Sequence, residues 1–146
     1  MKGYLVDTNV ISERKDAAIA AWLDRASPLL WLSAITAAEV ESGIARKRRE
    51  GAHRQADDLT RWWEAVVHLY GDRILPFDSA AASIAGRQID AARASGHNPG
   101  FADIAIASIA VANDLVVLTR NLRHFQPLGV DCHDPYIALP PLPDAI

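Results

Sequence analysis

Four short apolar runs, each bounded by polar or turn-forming residues and separated by segments of helical periodicity, restrict what this chain can fold into. They lie at residues 3–7, 28–35, 73–78 and 115–119, with a candidate fifth at 129–132. Runs this short and this apolar fit strands buried on both faces. The intervening segments change period. Ile19, Trp22, Leu23 and Ala26 share one side of a helix, as do Leu59, Trp62, Trp63, Val66 and Tyr70 in a helix over about 52–70. Thr36 is a candidate cap for a helix running to about residue 50. Asp78 or Ser79 can cap one carrying Ile84, Ala85, Ile89 and Ala92, with Gly96 as its stop. Asn98 and Pro99 signal the start of a further helix, almost wholly apolar up to Asn113. Strands alternating with helices predict a three-layer α/β/α fold around a parallel sheet of about four to five strands. The expected organisation is one domain over 1–135 with a Pro-rich, extended tail over 136–146.

Composition excludes several classes. Half of the residues are hydrophobic and 23% are charged, so disorder is not suggested. The single cysteine, Cys132, can form neither an internal disulfide nor a thiolate metal cluster. No apolar run approaches a bilayer span, and the expected location is the cytoplasm with no membrane partner. The net charge of −3 argues against a generally basic coat, but Arg46, Lys47, Arg48, Arg49 and Arg54 fall close together. That cluster is equally a solvated helix end, its cations near the C-terminal carbonyls, or a contact for RNA phosphates.

In parallel sheets of this kind, ligands sit in the crevice beyond the carboxyl ends of the strands. Asp7 ends the first strand and belongs there, although by itself it is also a good helix cap. Glu39 stands three residues after Thr36, the spacing of a capping box. Asp103 sits within FADIAIASIAVA, where a carboxylate on a buried helix costs several kcal/mol unless something compensates it, in the rough sense of desolvation rules. Right-handed crossovers bring all three acids to one edge. Clustered carboxylates raise one another's pKa until a cation neutralises them, and hard oxygen donors select Mg²⁺ or Mn²⁺. Such a centre suits phosphoryl chemistry. The last strand ends in TRNLRHF, which adds Thr119, Arg120, Asn121 and Arg123 to the same edge. Thr119 and Asn121 can serve as turn residues or hold metal-bound water.

LVDTNVI, ITAAEVESG, FADIAIASIA and VLTRNLRHF, in this order and spacing, resemble the four blocks of a PIN domain, most closely the VapC or FitB-type toxins of bacterial toxin–antitoxin pairs. The resemblance covers nearly the whole chain. It implies a divalent-metal endoribonuclease with Asp7, Glu39 and Asp103 at the acidic metal positions and Thr8, Asn9 and Thr119 beside them. It also implies a homodimer and a small cognate antitoxin covering the acidic groove. Asn121 departs from the pattern, since many members carry aspartate there; one firmly held ion is therefore expected, with a second recruited by substrate phosphate. Arg46, Arg48, Arg49, Arg120 and Arg123 are candidate RNA contacts. Two rivals fit less well. A haloacid-dehalogenase-like phosphatase needs a second acid where Asn9 stands and a late lysine, yet none follows Lys47. A receiver-like Mg²⁺-binding signalling module has only Asp78 to imitate its central acid. The histidines show no tight ligand spacing and are expected in surface or packing roles.

Overall fold

The computed structural model of the chain describes residues 2–13 and 15–142; positions 143–146 of the expected tail lie outside the described residues. Five strands, β1 (Tyr4–Val6), β2 (Leu30–Ser33), β3 (Ile74–Leu75), β4 (Val116–Leu118) and β5 (Cys132–His133), form one parallel sheet in the order β3-β2-β1-β4-β5. Tyr4 lies opposite both Leu30 and Val116, which puts β1 at the centre. Successive side chains point to opposite faces. Tyr4, Val6, Leu30, Leu32 and Leu118 therefore enter one core, while Leu5 and Val117 enter the other.

The first face is covered by α1 (Thr8–Ile11), α2 (Ala17–Ala26), α3 (Ala34–Arg49) and α4 (His53–Tyr70), through residues such as Val10, Ile19, Trp22, Val40, Ile44 and Trp63. The second is covered by α5 (Ser79–Ala94), α6 (Phe101–Ala112) and α7 (Leu122–Phe125), with Ala85, Ile106, Ile109 and Phe125 inside. The three-layer α/β/α expectation is met. Of the adjacent tryptophans, Trp63 is buried and Trp62 packs at the core margin, as the 100° step between neighbours on a helix requires.

Two helix starts differ from expectation. α3 is capped by Ser33, whose hydroxyl accepts from Thr36 N at 3.0 Å, so the helix begins earlier than a Thr36 cap allows. Glu39 is then beyond the first turn and cannot close a capping box. β2 runs into α3 without a loop, leaving Ser33 as both last strand residue and cap. α6 is capped by Gly100, and Asn98 and Pro99 lie in the preceding loop. From Ile104 to Ala110 every residue of α6 is buried, as its apolar run predicts.

After β5 the chain turns back over the first face. The Tyr136 hydroxyl donates to Glu13 Oε2, Trp22 Nε1 donates to Pro140 O at 2.8 Å, and Leu142 packs on the core. Among the described residues no helix is long and apolar enough to cross a membrane.

Candidate active site

β2 and β3 extend the sheet to one side of β1, and β4 and β5 extend it to the other, so connections diverge between β1 and β4. A crevice opens at the carboxyl ends of strands at such a switch point. Asp7 follows β1 there, and Thr119 follows β4. Backbone bonds fix both: Asp7 N donates to Leu118 O at 2.9 Å, and Thr119 N to His133 O at 2.9 Å.

Asp7 is 6% exposed. Its Oδ1 accepts from Thr8 N at 2.8 Å, which makes it the cap of α1. Its Oδ2 accepts from the Thr119 hydroxyl at 2.8 Å. Thr119 Oγ1 also accepts from Asn121 N at 3.0 Å, so its own hydrogen is committed to Asp7. Burial pushes the Asp7 carboxyl above the usual carboxylate range; the bonds from Thr119 and Thr8 pull the other way, and the charges of Glu39 and Asp103 push it up again. The helix-cap and acidic-cluster roles of Asp7 thus coexist.

Glu39, on α3, accepts from the Thr8 hydroxyl at 2.9 Å through Oε1, and the same hydroxyl lies 3.0 Å from that of buried Thr36. Asp103, in the first turn of α6, faces His124 Nδ1 at 3.2 Å. Its side chain is 26% exposed, so the sequence misplaced the burial: Asp103 stands where α6 emerges from the core, and Asp7 is the carboxylate taken out of water. Glu41 is exposed, away from Glu39. Asn9 Oδ1 accepts from Arg120 N at 3.4 Å. The Asn121 backbone serves the site through Thr119, and its side chain makes no capping bond for α7.

The donor set consists of carboxylate, hydroxyl and amide oxygens, and neither Asp7 nor Glu39 has a lysine or arginine ion pair among the described residues. A hard divalent cation fits that chemistry and would relieve the mutual repulsion at Asp7. Among the described residues no three His, Cys, Asp or Glu side chains are grouped so as to hold a metal ion. Glu39 is turned to Thr8 and Asp103 to His124.

The basic residues divide. Arg46 joins Ile35, Ala38, Glu39, Ser42 and Gly43 in lining an open groove of about 420 Å³. Seven residues of helix separate Glu39 from Arg46, about 10 Å along the axis. Arg48 turns instead to α4, 2.9 Å from Asp57 and 3.2 Å from Thr60, and Arg49 is exposed. Exposed Arg120 lays its guanidinium over the Tyr136 ring at 4.1 Å. Arg123 lines a cavity that also contains Asp103. Sequence reasoning missed Ser33, the bonding role of Thr36, and His124. A hydroxyl directly after an apolar strand was the available signal for Ser33; nothing local pairs His124 with an acid 21 positions earlier.

Comparison with known proteins agrees with this fold. Residues 4–128 match the PIN domain. The chain is 36% identical to VapC ribonuclease Y4jK of Sinorhizobium fredii over 137 residues, covering 90% of this chain and 96% of that protein. It is 34% identical to Toxin FitB of Neisseria gonorrhoeae over 143 residues, covering 90% and 97%. The crystal structure of FitAcB from Neisseria gonorrhoeae superposes with a TM-score of 0.81 at 33% identity, over 91% of this chain and 98% of that one. DNA-bound VapBC from Salmonella typhimurium shares the fold, with a TM-score of 0.78 at 24% identity over 92% and 98%.

Proposed function

The chain belongs to the PIN-domain family, and from that membership we propose that it is a divalent-metal-dependent endoribonuclease, the toxin of a toxin–antitoxin pair. The carrying observation is the buried Asp7 carboxylate, held by Thr8 N and Thr119 Oγ1 while the charges of Glu39 and Asp103 act on it. The charges of Glu39 and Asp103 raise the Asp7 carboxyl from distant segments, and a cation with a phosphate ligand would relieve that.

Asp7, Glu39 and Asp103 would hold Mg²⁺ or Mn²⁺. When bound, such an ion lowers the pKa of a water ligand and neutralises charge on the phosphodiester undergoing in-line attack. Thr119 keeps Asp7 oriented, and Thr8 does the same for both Asp7 and Glu39. Asn121 presents a neutral amide where a fourth acid would add charge, which favours one tight ion over two. Metal titration without RNA that revealed two equally tight sites would contradict that stoichiometry. Arg46 and Arg120 lie where the RNA backbone can approach, and their contribution should weaken as salt rises.

By likeness to FitAcB, the chain would bind a cognate antitoxin over the acidic groove, and the family resemblance implies a homodimer. The phosphatase alternative loses support because Asn9, which would be its second acid, serves the Arg120 backbone. The test is cleavage of a panel of RNAs with Mg²⁺, Mn²⁺ or EDTA. Cleavage should require metal and disappear in Asp7→Asn and Asp103→Asn, with both variants still folded by circular dichroism. Turnover retained in both would refute the assignment.

A further inference from the structure

The loop between α5 and α6 and the short α7 border a half-open pocket of about 190 Å³ against the acidic edge, with Asn98, Arg123 and Pro127 exposed at its rim. Asp103 and His124 form part of its wall, and Asn98, Pro99, Arg123 and Pro127 complete most of the rest. It is smaller than the roughly 300–1,000 Å³ of drug-sized ligand sites, so it suits one planar heterocycle. Its position is set by firm structure. Gly96 takes a φ of +80°, and His97 N donates to Ala92 O at 2.8 Å, which ties the loop to the end of α5. Gly100 then starts α6, and Phe125 and Leu128 anchor the opposite wall in the core.

We propose that this cavity is a nucleobase pocket that selects guanine at the nucleotide beside the scissile phosphate. The proposal rests on the ribonuclease assignment for its position but on the cavity's own chemistry for its ligand. Pro99 and Pro127 supply apolar surface for a flat ring. Arg123 forms no ion pair among the described residues. Its donor-only fork matches the two adjacent acceptors, O6 and N7, that guanine alone presents. Adenine replaces one acceptor with an amino donor facing the guanidinium, uracil presents no adjacent acceptor pair, and cytosine presents one only as N3 and O2 on its Watson–Crick edge. The Asn98 carbonyl can accept from the guanine amino group, a donor that uracil lacks. Since Asp103 forms part of the wall, a base seated here places its own phosphate close to the acidic edge.

The experiment measures binding of short labelled RNAs, identical except for one central base, to the full-length Asp7→Asn chain by fluorescence anisotropy, and maps cut sites with the wild type. The guanine RNA should bind about tenfold more tightly than the adenine RNA, the scale expected for one bidentate base contact. Arg123→Met should abolish that preference, and Asn98→Ala should reduce it. Wild-type cuts should cluster beside guanine, and in Arg123→Met they should spread to other bases. Equal binding of all four RNAs, binding of none, or an Arg123→Met effect that weakens every RNA by the same factor would overturn the pocket. Guanine-selective binding by a wild-type chain that cuts no RNA would sustain the pocket and sink the nuclease assignment. Cleavage without base selectivity would do the reverse.

Discussion

Thr119→Val removes the bond on which the buried carboxylate depends. Thr119 is fully buried and valine nearly matches its shape, so no cavity is created. What is lost is a 2.8 Å hydrogen bond to Asp7 Oδ2, in a carboxylate 6% exposed to solvent, together with the 3.0 Å bond that Thr119 Oγ1 accepts from Asn121 N, a neutral bond of about 0.5–1.5 kcal/mol at every pH. A bond to a charged acceptor is worth about 1.5–3 kcal/mol, and the added methyl returns about 0.8 kcal/mol. The net cost at neutral pH is about 1–4 kcal/mol, or roughly 3–12 °C in Tm for a chain of this length. The sign of its pH dependence follows from Asp7, whose carboxyl is pushed up by burial above the range it has in the unfolded chain. Between the usual carboxylate range and the raised value, the folded state binds more protons, so Asp7 makes stability fall as pH rises through that window. Thr119 holds the carboxyl down, and removing it stretches the window upward. Below the usual range Asp7 is protonated in both states, the bond is a neutral one of about 0.5–1.5 kcal/mol, and the methyl nearly offsets it. The deficit of Thr119→Val should therefore be smaller in acid, where the lost Asn121 bond alone sets it, and grow towards neutrality. Urea unfolding in EDTA across a pH series measures it, with Thr119→Ser as the control that keeps the donor and loses about 1 kcal/mol of buried methyl at every pH. A deficit that is constant with pH, or that shrinks as pH rises, would refute the reasoning.

Ser33→Ala should lower stability by about 1 kcal/mol in urea unfolding, because it strips the N-cap from α3 and leaves Thr36 N unpaired in the core. Gly3→Ala should cost about 1–3 kcal/mol by overpacking, since a Cβ there would lie 2.4 Å from the Trp31 ring and 2.9 Å from the Leu29 carbonyl; a neutral result by thermal melting would show that Trp31 swings aside. Tyr136→Leu should weaken RNA binding by a few-fold with a reduced salt slope, because Arg120 loses the ring beneath it, and Tyr136→Phe should bind like the wild type. Filter binding at several salt concentrations separates the two.

Much of the fold was legible because short apolar strands and amphipathic helices have different periods, and these survive in any environment. Crossover handedness carried Asp7 and Thr119 to one edge of the sheet, whereas the strand order β3-β2-β1-β4-β5, with β1 at the centre, came only from the structure. Element ends were less legible. Thr36 and Ser33 are both good caps in isolation, and only the direct junction of β2 with α3 selects Ser33. Burial at those ends was misjudged for a related reason. An apolar run reports the average environment of α6, whereas Asp103 sits in its first turn at the sheet edge.

By itself, then, the sequence determined the parallel three-layer frame, the edge at which polar chemistry gathers, and the residue types available there. Tertiary structure decided which carboxylate is withdrawn from water, which hydroxyl holds it, and which cations face the edge. It set Thr119 against Asp7 across 112 positions, His124 against Asp103, and Tyr136 beneath Arg120. Periodicity encodes which face of an element is buried, but the partner of a side chain at an element's end depends on whatever other segment arrives there.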